Sequence, residues 1–371
     1  MKKLRILCAI GTRPEAVKMA PVVLALKREP WADVQVLATA QHREMLDQVL
    51  ALFGIVPDID LDIMRPNQSL PTLMGRLLVE VEPVLDDVRP DLVVVQGDTT
   101  TVLAVAMTSF LKRIPVAHVE AGLRTGDMDY PFPEEANRVL VGRLVTLHFA
   151  PTEAARRNLL SEGVPESRIV MTGNTVIDAL LMVANANPPL SVALDSSKRL
   201  VLVTVHRREN FGAPLRQICE ALLESATRNP EVQFLIPVHP NPNVRSVIYD
   251  MLCSVPNVVL TPPLDYAPFV AAMQASYLVV TDSGGVQEEA PALGKPVLVL
   301  RDETERPEAV NEGVVKLVGP HRERLVEEIQ RLLDDDSVYS AMAKGVSPYG
   351  DGYSAKRIVK SIREWAERLR A

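Results

Sequence analysis

Three carboxylates stand on loops that follow apolar, β-branched runs, where a parallel sheet turns toward a ligand. Asp98 follows Leu92–Gln96 within Gly97-Asp-Thr-Thr-Thr101, Glu120 ends the run from Val116, and Glu134 lies in Pro131-Phe-Pro-Glu134-Glu-Ala-Asn-Arg138. Acids positioned in this way can remove and return protons. Each also has a plainer use. Asp98 could cap the next helix, and Glu134 could answer the positive end of one. Arg138, four residues on, could pair with Glu134 across one helix face. A single ion pair does not account for acids at three separate loops.

Positive and glycine-bearing loops stand beside them. Gly11-Thr-Arg13-Pro-Glu15 leads into a helix carrying Lys18, so exposed N–H groups, a helix start and Arg13 could grip an anion. His206-Arg207-Arg208 ends another apolar run, and His239 ends the next. Thr281-Asp-Ser283-Gly284-Gly285-Val-Gln-Glu288-Glu289 brings backbone N–H groups and a hydroxyl to a phosphate. A carboxylate one turn later could take a ribose diol. There is no G-x-G-x-x-G after a strand, no P-loop, no G-x-S-x-G and no H-E-x-x-H. Gly294-Lys295-Pro296 lacks the upstream glycine and the hydroxyl residue a P-loop needs. The pattern predicts a phosphate ligand with neither a bound dinucleotide nor a metal.

The elements that must position these loops alternate. Strands are predicted at Leu4–Ala9, Val34–Thr39, Leu92–Gln96, Val116–Glu120 and Ile169–Thr172, with helices such as Glu15–Arg28, Arg43–Phe53 and Thr99–Leu111 between them. A second series begins after Asn187-Pro-Pro-Leu190, with strands at Leu200–Val205, Val232–Pro237, Val258–Thr261, Leu278–Thr281 and Val297–Leu300. Its helices include Leu215–Thr227 and Phe269–Ala275. Such alternation means parallel sheets with right-handed crossovers. The expectation is α/β: two Rossmann-like, doubly wound domains facing a central cleft, residues 1–185 and 186–354. The last helix, Ala355–Leu369 within 355–371, could stay with the second domain or cross back to the first.

Composition narrows the partners. The 371 residues carry 40 Lys+Arg against 47 Asp+Glu, a formal charge of −7, which disfavours nucleic acid or an anionic membrane. No apolar run approaches the ~20 residues of a membrane span. The opening MKKLRILCAIGTRPE has too short an apolar stretch, and no cleavage site, for a signal peptide. Cys8, Cys219 and Cys253 are odd in number and far apart, so a disulfide framework is not expected. These features predict a cytoplasmic enzyme.

The strings GTRPEAVKMAP (11–21), QGDTTT (96–101), HVEAGLRTGD (118–127), PFPEEANR (131–138), TGNTVIDAL (172–180), HRREN (206–210) and TDSGGVQEEAPALGKPVLVLRDETERPE (281–308) stand in order. Together they resemble the bacterial non-hydrolysing UDP-N-acetylglucosamine 2-epimerases, over essentially the whole chain down to PYGDG (348–352). The resemblance implies a GT-B type fold, a homodimer, and interconversion of UDP-GlcNAc and UDP-ManNAc without a cofactor, feeding cell-surface polysaccharide. The implied route is anti elimination of UDP to 2-acetamidoglucal, then re-addition with protonation of the other face of C2. It makes Asp98, Glu120 and Glu134 the carboxylates of the site, with His206 among the catalytic groups. Arg13, Lys18, Ser283, Gly284 and Gly285 fall to the UDP-sugar, as do Phe269, Glu289 and Arg306, while Arg138 orients the acids. Some relatives are activated by a second UDP-GlcNAc, whose contacts would fall on Gln41, Arg207 or Arg208, and His239. Glu44 and Asn67 depart from the regulated pattern, and a carboxylate near a diphosphate repels it, so activation is expected in altered form. The rivals are a GT-B glycosyltransferase, a hydrolysing 2-epimerase and a non-catalytic nucleotide-sugar sensor.

Overall fold

The computed structural model describes residues 3–39, 43–65 and 68–370, with the side chains of 43–45 and 370 excepted. The first series runs β1 (Leu4–Ile10), α1 (Arg13–Lys27), β2 (Ala32–Ala38), α2 (Arg43–Leu52), β3 (Ile59–Asp60), α3 (Leu70–Val88), β4 (Leu92–Gln96) and α4 (Thr100–Leu111). It continues with β5 (Val116–Val119), α5 (Glu134–Leu144), β6 (Leu147–Ala150), α6 (Glu153–Ser161), β7 (Ile169–Met171) and α7 (Thr175–Asn185). The second series is β8 (Arg199–Thr204), α8 (Ala213–Arg228), β9 (Val232–Pro237), α9 (Pro242–Leu252), β10 (Val258–Thr261), α10 (Tyr266–Ala275), β11 (Leu278–Thr281) and α11 (Gly284–Ala292). It closes with β12 (Val297–Val299), α12 (Pro307–Asn311), β13 (Val315–Leu317), α13 (Arg322–Asp334), α14 (Asp336–Met342) and α15 (Ser354–Arg370).

Both sheets are parallel, in the orders β3-β2-β1-β4-β5-β6-β7 and β10-β9-β8-β11-β12-β13. Their strands are apolar on both faces because helices cover both sides. In the first sheet Leu7, Ala9, Leu37, Val93 and Val95 pack against Val84, Leu85, Val102 and Val105 from α3 and α4. In the second, Val201, Val203, Phe234, Ile236 and Val280 pack against Ile218, Leu222, Ile248 and Ile329. Each domain is therefore Rossmann-like. The strand order reverses between β1 and β4 in one sheet and between β8 and β11 in the other. Loops at such switch points diverge beyond the carboxyl ends of the strands, which opens a crevice for a ligand.

Residues up to Ala179 together with those from Tyr349 onward form one compact unit, and Leu180–Pro348 form the second. The passage from first to second falls inside α7, whose Ile177, Ala179, Leu180 and Val183 are all buried. The last helix belongs to the first unit. It packs on α1 with a stripe of Ala355, Ile358, Val359, Ile362, Trp365 and Ala366 at helical spacing. Asp178 caps its start, accepting from the N–H groups of Ser354 at 3.1 Å and Ala355 at 2.8 Å. Among the described residues no helix is long and apolar enough to cross a membrane.

Candidate functional site

In the first unit the chemistry gathers behind β1, β4 and β5. Glu120, the residue after β5, has φ of 65°. That left-handed backbone is costly for a side chain with a full Cβ, and such outliers concentrate at functional sites. Its carboxylate is almost fully buried. It accepts from Lys18 Nζ at 2.6 and 2.7 Å, from Asn174 Nδ2 at 3.1 Å, and from Gln96 Nε2. Lys18 sits one turn into α1, so this pair ties the β1–α1 loop to the end of β5.

Asp98 faces Arg138, whose Nε and Nη2 donate to Oδ2 at 2.8 and 2.7 Å. Burial pushes the Asp98 carboxyl above its usual range, the nearby Glu120 adds to this, and Arg138 pulls the other way. Asn137 Nδ2 holds the Asp98 carbonyl at 2.8 Å. His118, buried on β5, keeps Gly97 in place with Nε2 2.7 Å from its carbonyl. Burial drives that imidazole down to about 4, so it stays neutral and donates.

Glu134 opens α5 half-buried and has no hydrogen bond or ion pair among the described residues. The Glu134–Arg138 pair allowed by the sequence does not form. Arg138 instead takes Glu135 at 3.1 Å, three residues back, and Glu135 also accepts the N–H groups of Thr125 and Gly126 at 3.0 and 3.1 Å. Glu135 is turned inward at 1% exposure, and Arg138, which shares a helix face with both acids, pairs with the buried one. Arg13, at the first position of α1, is also half-buried and unpartnered among the described residues.

The β1–α1 loop and the first turn of α4 are pressed together. A Cβ on Gly11 would run into Thr101 and Thr39, whose hydroxyls meet at 3.0 Å. Glu15, 2% exposed, accepts the Gly11 N–H at 2.5 Å. Burial pushes its carboxyl up to about 7, against the hydrogen bonds from Thr99 and Gly11.

In the second unit the loops after β8 and β11 meet. Asp282 is fully buried and accepts from four donors: the backbone N–H of His206 at 3.0 Å, that of Arg207 at 2.9 Å, Asn210 Nδ2 at 3.0 Å and His206 Nδ1 at 3.0 Å. Burial alone would raise its pKa, but His206 and the other donors outweigh it, and the carboxyl lies below its usual range. With Nδ1–H donated to Asp282, His206 presents Nε2 outward. The His239 ring lies near-parallel to it, centroids 6.1 Å apart, and burial and the neighbouring His206 lower the His239 pKa.

Ser283 is the N-cap of α11, yet its side chain caps nothing, so its hydroxyl and the first N–H groups of the helix remain open to an anion. Gly284 is tightly approached there: a Cβ would stand 3.0 Å from Arg306 Nη1, which would have to shift by a few tenths of an ångström. Gly285 follows it in the first turn. Arg306 Nε bonds Glu288 at 2.5 Å, and Glu289, buried beside it, accepts from Tyr266 Oη at 2.8 Å. Phe269 lies half-buried on α10. Arg207 pairs with Glu305 at 3.2 Å, whereas Arg208 is exposed. Gln41 and Asn67 lie outside the described residues, as does the side chain of Glu44.

Asp98, Glu120, Lys18 and Arg138 are thus assembled in one unit, and His206, His239, Ser283 and Arg306 in the other. The residues that sequence reasoning passed over are buried supports: Glu15, Gln96, Glu135, Asn174, Asn210 and Asp282. Asp282 follows an apolar strand just as Asp98 does, and the same pattern would have found it.

A family model described as UDP-N-acetylglucosamine 2-epimerase matches residues 24–363. The UDP-N-acetylglucosamine 2-epimerase of Escherichia coli K12 is 52% identical, with 97% of this chain and 98% of the relative covered. That of Yersinia pestis is 53% identical over the same shares. A crystal structure of the Neisseria meningitidis UDP-GlcNAc 2-epimerase bound to UDP-GlcNAc superposes with a TM-score of 0.89 at 47% identity, covering 97% of this chain and all of that one. A Staphylococcus aureus MnaA–UDP structure gives 0.88 at 40%, covering 99% and 97%. A glycotransferase of kitacinnamycin, 11% identical with a TM-score of 0.66, shares the fold alone. With the family model matching residues 24–363 and relatives 52–53% identical over 97% of the chain, this protein belongs to the UDP-N-acetylglucosamine 2-epimerase family.

Proposed function

We propose that the protein interconverts UDP-GlcNAc and UDP-ManNAc without releasing free sugar. The observation that carries this reading is the set of three acids in different electrostatic states at the carboxyl end of one sheet. Glu120 is ion-paired to Lys18, Asp98 to Arg138, and Glu134 is unpaired among the described residues. Inverting C2 requires a proton to leave one face and another to arrive on the other. One acid in one state cannot do both.

The C2 hydrogen is not adjacent to a carbonyl, so its removal is coupled to departure of the leaving group. A carboxylate takes the C2 proton as the C1–O bond to UDP breaks, giving 2-acetamidoglucal and UDP. In the return step UDP re-forms the C1–O bond while a carboxylic acid protonates C2 from the opposite side. Negative charge grows on the diphosphate, and preorganised donors are worth most there. Arg13, Lys18, His206, Ser283 and the N–H groups of Gly284 and Gly285 are assigned to it. Glu289 is assigned to the ribose hydroxyls, with Phe269 and Arg306 completing the substrate site. The relatives crystallised with UDP-GlcNAc and with UDP support this ligand class.

On the same reading the enzyme is a cytoplasmic homodimer supplying ManNAc for cell-surface polysaccharide, and Gln41, Arg207 or Arg208, and His239 serve a second, activating UDP-GlcNAc. A rate strictly hyperbolic in UDP-GlcNAc would rule out that activation. The main test is incubation with UDP-GlcNAc in D2O, followed by proton NMR. UDP-ManNAc bearing deuterium at C2 is the expected product. Free ManNAc plus UDP would assign a hydrolysing epimerase. Bound UDP with no deuterium uptake would leave a transferase or a sensor.

A further inference from the structure

The head of α11, where the nucleotide reading places phosphate, already has an anion beside it. Glu305 Oε1 lies 3.2 Å from Arg207 Nη2 and 2.9 Å from Arg306 Nη1, and Oε2 lies 2.6 Å from Arg301 Nη1. A Cβ on Gly284 would stand 3.3 Å from the same Oε1, so the carboxylate rests against the first turn of the helix. Two of the three arginines have other acids to hold them: Arg301 pairs with Glu209 at 2.9 Å, and Arg306 with Glu288 at 2.5 Å. Arg207 has Glu305 as its one acidic partner among the described residues.

We propose that Glu305 is a placeholder for phosphate: its carboxylate occupies the anion seat formed by Arg207, Arg306 and the head of α11, and must leave before a diphosphate can settle. This rests on the nucleotide reading of the second unit. Burial would raise this acid, but the charge of Arg306 and Arg301 holds it down to about 2, so it is an anion under all ordinary conditions. Half-exposed on its loop, it can swing out to solvent without exposing core. The loop leaves Arg301 and Arg306 supported by Glu209 and Glu288 and frees Arg207 for the ligand. Glu305 is then a positioning residue that sets the affinity of the seat, acting through its arginines.

The test is calorimetric titration of UDP and of uridine into the wild-type protein and Glu305→Gln. The amide keeps the shape and removes the charge, so UDP should bind about threefold to tenfold more tightly to the variant, the gain of an exposed like charge removed. Uridine, which carries no charge, should bind both proteins equally. A residue that merely braced its arginines would weaken UDP when changed, so equal or weaker UDP binding by the variant overturns the proposal. Should the variant not fold, the UDP complex of the wild type decides: Glu305 must have left hydrogen-bonding distance of Arg207, and a carboxylate still seated there overturns it. Failure of the wild type to bind UDP at all overturns the nucleotide reading as well, and is distinct from either result.

Discussion

Replacing Asp282 by Asn tests the central support of the second unit. The side chain is fully buried and accepts from two backbone N–H groups, Asn210 Nδ2 and His206 Nδ1. Asparagine keeps one oxygen and puts an amide donor where the other stood, so one or two donors lose their acceptor, depending on which oxygen position is kept. At about 1–3 kcal/mol for each unsatisfied group, the cost is about 3 kcal/mol. For a unit of this size 1 kcal/mol moves the midpoint by about 2–4 °C, so the Asp282→Asn transition should fall by about 6–12 °C. The cost must also depend on pH. The folded-state pKa of Asp282 is depressed, so its contribution is present above the ordinary carboxylate value and is lost as pH falls through the folded one. Thermal scans should therefore show the full gap between wild type and variant from pH 5 to 8, and a smaller one near pH 3. A gap under 2 °C at neutral pH, or one that does not change on acidification, would refute the account of Asp282 as a charged acceptor.

Glu15 makes the opposite prediction. The folded state keeps its proton to about pH 7 while the unfolded chain releases it near 4.5, so this group costs stability as pH rises between those values. The unfolding free energy of Glu15→Gln from urea titration should gain about 3 kcal/mol on wild type between pH 4.5 and 8, and a pH-independent difference would discard the assignment. Among the three acids, Asp98→Asn, Glu120→Gln and Glu134→Gln should each lower epimerisation by about 10²–10⁴-fold. Glu134→Gln, which breaks no hydrogen bond or ion pair among the described residues, should stay within about 0.5 kcal/mol of wild type in urea titration. Gly122→Ala should cost more than about 3 kcal/mol by the same measurement. Its φ is +90° and a Cβ would press on the Ala155 carbonyl and stand 2.8 Å from Leu159.

Strands buried on both faces were legible because their runs are rich in apolar, β-branched residues. Leu92–Gln96, Val232–Pro237, Val258–Thr261 and Leu278–Thr281 were read to the residue. β6 and β13 were not, since Leu147-His-Phe-Ala150 has no β-branched residue and Lys316 splits a run of three, and β3 is two residues long. The loops that hold Asp98, Glu120 and Ser283 were visible because a polar residue behind such a run must lie at the carboxyl edge of the sheet. The partner of Arg138 was not visible. Glu134 and Glu135 are adjacent, and only the helix phase set by packing decides which turns inward. Glu15 and Asp282 are harder for a related reason. An acid's burial depends on donors that close around it, and the partners of Asp282 lie more than 70 residues away.

Because α15 returns to α1, the first unit is discontinuous and the second is an uninterrupted stretch of chain. During synthesis this reverses the usual order of maturation. The unit translated second has all its strands once Pro348 has left the ribosome, while the earlier one still lacks the helix that covers α1. Until Ile358, Ile362 and Trp365 arrive, the apolar face of α1 that they cover is open to water and to chaperones. A nascent chain stalled after Pro348 would carry a finished second unit and an unsealed first one.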